Sequence, residues 1–199
     1  MVIPPNSGAV SISASWHELD AATKRDRLLT ASREVFARDG LEAPMPAIAA
    51  AAGVGVGSIY RQFPSKRDLL SALVVDRLRE VEAAATAALS SPVGPWAALI
   101  ELIWAFATRQ SEDDVVAEAM SCVMVAPSVE AARAHSNEAL DRLLAAARET
   151  ERLRPDATVA DIRILFAGAR AAERVEPGGW RRMIELGIDS LEVGSATTT

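Results

Sequence analysis

The feature that most narrows the fold is a run of three glycines at alternate positions, 53, 55 and 57, closed by Pro64 in the stretch GVGVGSIYRQFPSK of residues 53–66. Glycine adopts left-handed backbone angles freely, and proline cannot continue a helix. The stretch is therefore a turn and a short piece of chain held between two breaks. One reading is a phosphate cradle. That motif needs a preceding strand and, in its P-loop form, a terminal Lys-Ser/Thr pair. Here the preceding residues are the helical run AIAAAA of 47–52, and the Lys-Ser/Thr pair is absent. The glycines instead join two helices through a tight turn, the geometry of a helix-turn-helix.

The short piece after the turn has two dissimilar faces. At about 100° per residue, Ile59 and Phe63 share one side, Gly57, Ser58 and Arg61 the other, and Tyr60 and Gln62 lie on the flanks. So short a helix is unstable alone, so Ile59 and Phe63 are expected to anchor it on neighbouring helices. What stays outside is small, polar and basic. Such a face can approach a DNA major groove closely, with donors for phosphates and base edges.

The surrounding sequence also reads as helices. Alanine runs throughout and aromatics make up only 5% of the 199 residues, a balance that favours helix over strand. Thr23-Lys-Arg-Asp26 has capping-box spacing ahead of Leu28, Leu29, Val35 and Phe36, and Gly40 marks a stop. A second short helix fits 46–52, and Ser65-Lys-Arg-Asp68 starts another carrying Leu69, Leu70 and Leu73. Helical periods continue over 73–89, 96–104, 115–125, 128–153, 159–174 and 180–193, separated by Pro92–Pro95, Pro127, Pro155 and Pro177-Gly-Gly179. The expected fold is all-α: a three-helix helix-turn-helix domain over 20–72 and a larger helical domain over 73–194, with a loose arm at 1–19 and a fraying tail at 195–199.

Charge is uneven along the chain. Residues 20–70 hold eight Lys/Arg and six acids, a net of +2, which leaves −8 for the remainder of a chain of net −6. A polyanion-binding module on an acidic body would look this way, and so would ordinary surface scatter. The single cysteine, Cys122, cannot close an internal disulfide, and the N-terminus lacks the basic start and apolar core of a signal peptide. The most apolar window, 95–108, contains Glu101 and is shorter than the roughly 20 residues that cross a bilayer. A cytoplasmic protein without membrane spans is expected. His17, His135 and Cys122 stand outside metal-ligand spacing. No catalytic arrangement, metal site or cofactor is expected.

From Thr23 to Val74 the chain resembles the N-terminal DNA-binding domain of TetR-family transcriptional regulators. The likeness is carried by Leu28-Leu29-Thr-Ala31 with Phe36 and Gly40, by Ile48-Ala49 with Ala52-Gly53-Val54, and by the run from Gly57 to Lys66 with Leu69-Leu70. The resemblance implies a homodimer on a palindromic double-stranded operator, released by a small-molecule effector bound in the larger domain. It implies that Ser58, Tyr60 and Lys66 clamp phosphates and that Val56, Gly57, Arg61 and Gln62 face bases. Tyr60 as a staple between helices, Lys66 as plain surface and Arg61 as a solvated charge are the alternatives. Two departures stand out. Gly55-Val56 occupies the start of the third helix where the family often has Ser-Lys, and Pro44-Met45-Pro46 replaces the usual Thr or Ser with a basic or polar neighbour at the second. Lys24 and Arg25, after Thr23 at the start of the first helix, are expected to make up part of the lost contacts.

In the larger domain Trp104, Phe106, Met120, Met124 and Phe166 are candidates for an apolar ligand pocket, since methionine and aromatic side chains adapt to varied shapes; plain core is the alternative. The last helix carries a wide apolar stripe, Trp180, Met183, Ile184, Gly187, Ile188 and Leu191, which needs either the chain's own core or a second subunit to cover it. In TetR-like proteins the last two helices form a four-helix bundle across the dimer. The resemblance therefore implies an interface through Ile162 and Leu165 of the one helix and Trp180, Ile184, Ile188 and Leu191 of the other.

Overall fold

The computed structural model describes residues 16–112, 115–123 and 125–194, without the side chains of His17, Glu112 and Ser121. Most of the expected arm, the tail at 195–199 and Met124 thus lie outside the described residues. Trp16–Glu18, assigned to the arm from sequence, forms a 3-10 turn, and Trp16 packs on the nearest core. Nine α-helices follow among the described residues: α1 (Ala21–Asp39), α2 (Met45–Ala51), α3 (Val56–Gln62), α4 (Lys66–Ala88), α5 (Pro95–Glu112), α6 (Val115–Val123), α7 (Pro127–Arg148), α8 (Val159–Val175) and α9 (Gly179–Leu191). The all-helical expectation holds: the described residues contain no β-strand, only an isolated bridge between Leu153 and Glu192.

The helix boundaries follow local chemistry. α1 starts earlier than its sequence suggests, because Asp20 is the cap: its carboxylate accepts from the Thr23 backbone N–H at 2.8 Å and from the Thr23 hydroxyl at 3.1 Å. Those two bonds hold the Asp20 carboxyl below its ordinary pKa. Gly40 ends α1 at φ +76°. The capping box at the head of α4 is complete, with Ser65 Oγ accepting from the Asp68 N–H at 3.2 Å and Asp68 accepting from the Ser65 N–H at 2.9 Å. α4 then runs unbroken through positions 72 and 73 to Ala88, so one continuous rod carries the chain out of the helix-turn-helix region.

Two apolar cores are strung along that rod. The first unites Leu28, Phe36, Ile48, Ile59, Phe63 and Leu73 with Val115, Ala119 and Val123 of α6. The second unites Leu99 and Ile103 of α5, Leu143 and Leu144 of α7, Leu165 of α8, and Trp180 and Ile184 of α9. The helices α8 and α9 lie close because glycine leaves room between them. A Cβ at Gly187 would sit 2.1 Å from a Leu165 methyl, and one at Gly179 would sit 2.6 Å from the Ala172 carbonyl oxygen.

Candidate nucleic-acid interface and internal cavity

α3 is only seven residues long, and it is held by its two apolar anchors. Ile59 and Phe63 are 0% and 1% exposed; burying two such side chains contributes roughly 3 to 6 kcal/mol, enough to hold a helix that would melt alone. Their burial turns the other side outward. Val56, Gly57, Tyr60 and Arg61 are exposed, and Ser58 and Gln62 are half-buried beside them. Arg61 donates from Nη2 to Ser58 Oγ at 3.0 Å, one helical turn away on the same face. A Cβ built at Gly57 meets nothing within 4 Å. The protein's own packing does not demand a glycine there, so what the missing side chain provides is close approach from outside.

The turn before α3 is braced by a residue that sequence reasoning passed over. Gly53 takes φ +67°, and the Arg27 guanidinium of α1 reaches it, Nε donating to the Ala52 carbonyl at 2.9 Å. Arg27 thereby ties the α2–α3 turn to the first helix. The i+3 and i+4 spacing of Leu28, Ala31, Ser32, Val35 and Phe36 marks the buried side of α1, and Arg27 sits at its margin; that position was the available signal.

The expected DNA-contacting cations are placed as follows. Arg25 stacks its guanidinium 4.9 Å from the Phe63 ring centroid and so props the end of α3. Lys24 lies 6.0 Å over the Trp16 ring. Lys66 lies 5.9 Å over Phe36 with its Nζ 3.9 Å from the fully exposed Glu42 carboxylate. At the start of α2, Pro44 caps without a side-chain hydrogen bond and Met45 is buried, so that terminus offers no side-chain donor.

Below this region lies a cavity of about 370 Å3 walled by α4, α5, α6, α7 and α8. Of the candidates, Phe106, Met120 and Phe166 line it. Trp104 does not: it turns into the second core and meets Trp180 edge-on, ring centroids 6.2 Å apart. Val116 and Met120 put α6 in the cavity wall and also touch the first core, to which Val115, Ala119 and Val123 on the same helix belong. The cavity wall also holds Arg77, Arg133, Ser136, Asn137, Arg163 and Arg170. Those polar groups were largely missed from the sequence, although Ser136 falls on the apolar stripe of α7 between Ala132 and Leu140. A serine in a leucine and alanine stripe was the visible clue.

Ile162, Leu165, Trp180, Ile184 and Leu191 are all buried in this chain's own second core, with Ile188 packed against it. The apolar stripe of α9 packs largely within this chain, where Gly168, Gly179 and Gly187 let α8 and α9 close on each other. Ile162 also walls the cavity. What α8 leaves outside is a different stripe, Ala160, Ile164, Ala167, Ala171 and Val175, with Ile164 65% and Val175 87% exposed, and Leu186 of α9 47% exposed.

A short helix pinned by two apolar side chains with its basic side outward, above a helical body with a half-open cavity, defines a helix-turn-helix regulator. Residues 28–73 match the model of bacterial regulatory proteins of the tetR family, and 94–193 match that of the SbtR-like transcriptional regulator C-terminal domain. The chain belongs to the TetR family of transcriptional regulators. It is similar to a TetR regulatory protein of Mycobacterium vanbaalenii, at 32% identity over 87% of this chain and 98% of that one, TM-score 0.66. It shares the fold of SmeT, the repressor of the SmeDEF multidrug efflux pump of Stenotrophomonas maltophilia, at 21% identity over 92% and 96% of the chains, TM-score 0.62. It also shares that of Thermus thermophilus FadR, a transcriptional repressor in complex with lauroyl-CoA, at 20% identity over 88% and 96%, TM-score 0.58. No curated protein matches the chain. Among the described residues no helix is long and apolar enough to cross a membrane, and no group of three or more His, Cys, Asp or Glu is placed to hold a metal.

Proposed function

We propose that this chain is a homodimeric operator-binding repressor released by a small molecule held in the α4–α8 cavity. The observation that carries the reading is the orientation of α3: anchors inward, Val56, Gly57, Tyr60 and Arg61 outward. In this role residues 20–72 form the DNA-binding unit and 73–194 the regulatory one. Arg61 and Gln62 read base edges with Val56 and Gly57 at the groove floor, and Ser58, Tyr60, Lys24 and Lys66 hold phosphates. Arg25 adds charge while propping α3. The second copy covers the outward stripe of α8, Ile164, Ala171 and Val175, together with Leu186. A C2 dimer sets two recognition helices at a fixed separation, which a palindrome matches only at one half-site spacing.

Release follows from α6. Its two faces serve the cavity and the core that supports α3, so an occupant that pushes Met120 displaces the floor of the DNA-binding unit. The salt bridge from Arg33 of α1 to Asp76 of α4, 2.5 Å long, makes α4 a second carrier of the same motion. A coupling of about 1 to 3 kcal/mol changes DNA affinity roughly 5- to 150-fold. That FadR is solved with lauroyl-CoA and SmeT represses a drug efflux pump supports an apolar or amphipathic effector and repression as the sense of control. The test is selection of genomic fragments by the purified protein at moderate salt, followed by compounds that release the selected DNA. Enrichment of one palindrome is expected. A protein that enriches none is a helical small-molecule-binding protein or enzyme that has lost operator recognition, a role to which the donor-free start of α2 would be suited.

A further inference from the structure

We infer that the effector is an anion with a medium-length apolar tail, its head held by Arg133 and Arg163 beside Ser136 and Asn137. The inference rests on the cavity being the effector site. Most of the wall is apolar, with Leu78, Phe106, Met120 and Phe166 in it, and among the described residues its charged members are four arginines. Two of them, Arg133 of α7 and Arg163 of α8, put positive charge on the same wall. Arg77, stacked 4.6 Å over Phe106, pairs with Glu80, which Arg109 also contacts. Glu173 lies with Arg170 and Arg174 on a smaller adjoining recess, and its carboxylate accepts from the Gly178 N–H at 2.9 Å.

The second observation is Ser136. It is 2% exposed, lines the cavity, and its hydroxyl makes no hydrogen bond among the described residues. That hydroxyl is open to the cavity, and it stands one turn along α7 from Arg133, next to Asn137. The three present donors side by side along one edge of the cavity, and Arg163 adds a fourth from α8. Donors of one sign around an apolar volume select a negative head and an oily tail. At about 370 Å3 the space is at the small end of ligand cavities, which span roughly 300 to 1,000 Å3, hence a medium chain.

Calorimetric titration of the full chain without DNA tests this, with four probes of equal tail: decanoate, decyl phosphate, decan-1-ol and decylamine. Expected is binding of the anions at least about tenfold tighter than the alcohol, with the amine weakest. A preference for decanoate or for decyl phosphate identifies the head as carboxylate or phosphate. Arg163→Gln and Arg133→Gln should each weaken the anions about tenfold and leave decan-1-ol unchanged; Arg163→Lys and Arg133→Lys, which keep the charge, should retain most of the affinity if the Gln forms misfold. Decan-1-ol or decylamine binding as tightly as decanoate overturns the inference, as do Gln variants, folded by circular dichroism, with unaltered anion affinity. Those results leave the operator-binding role untouched. Failure to enrich a palindrome, conversely, rejects the repressor and leaves the anion preference standing.

Discussion

Removing the Arg27 guanidinium should loosen the α2–α3 turn by an amount the structure lets one work out. Ala52 is 3% exposed and its carbonyl accepts from Arg27 Nε at 2.9 Å. A hydrogen bond to a charged partner contributes about 1.5 to 3 kcal/mol, and half-burial of Arg27 lowers that to about 1 to 2 kcal/mol for Arg27→Ala. In a chain of this length that is a fall of roughly 2 to 8 °C in Tm, and operator affinity should drop with it, since α3 hangs from this turn. Gly53→Ala supplies the cross-check. The left-handed angle alone costs about 1 to 2 kcal/mol for a residue with a Cβ, and that Cβ would press to 3.1 Å on Arg27 Nη2. With Arg27 already removed, the pressure is gone and only the backbone cost is left. Denaturant unfolding of both single variants and the double should therefore show a double variant at least about 0.5 kcal/mol better than the sum of the singles. Strict additivity would mean that the Cβ does not press on the guanidinium, and an Arg27→Ala variant as stable as the parent would mean that the guanidinium does not brace the turn.

Arg61→Ala should cost about 1 to 3 kcal/mol of operator binding and relax preference at one base pair; equal losses on specific and random DNA would reject base reading. Ile164→Glu puts a charge in the outward α8 stripe and should shift the protein toward monomer in sedimentation, with operator affinity falling in step; an unchanged oligomeric state would clear that face of any interface role. Gly187→Ala drives a Cβ into the buried Leu165 and should destabilise by about 1 to 3 kcal/mol, less when Leu165→Ala is present in the same chain. Asp161, accepting from the Thr158 hydroxyl and N–H at 2.7 Å, has its carboxyl held below the ordinary 3.8 by those bonds. A lowered native pKa means its contribution is present above about pH 4 and is lost as pH falls through the native value. Asp161→Asn should be less stable than the parent near neutrality, with the difference closing on acidification.

The sequence made the recognition region readable because its signals are local. A capping box at Ser65, a left-handed glycine at 53 and two apolar side chains four residues apart act within one or two turns, and each takes the expected place. Asp20 displaced Thr23 as the cap of α1 because two acceptors compete there within a turn of each other, and the one upstream is in reach of the Thr23 amide. The stripe of α9 was legible as apolar but not in its destination: three glycines in the α8–α9 region decide that Trp180 and Ile184 turn inward, and the pairing of those helices is non-local. Trp104 and Phe166 looked alike for the same reason. The packing of α5 on α9 sets Trp104 against Trp180, while α8 turns Phe166 to the cavity.

The double duty of α6 also constrains how such a chain can change. A substitution at Met120 or Val116 that suits a new effector is felt three residues away by Ala119 and Val123, beneath the helices that support α3. If the cavity holds the effector as proposed, sensor and reader cannot drift independently: lineages that acquire a different inducer should show compensating replacements among the packing partners of α6 in the first core.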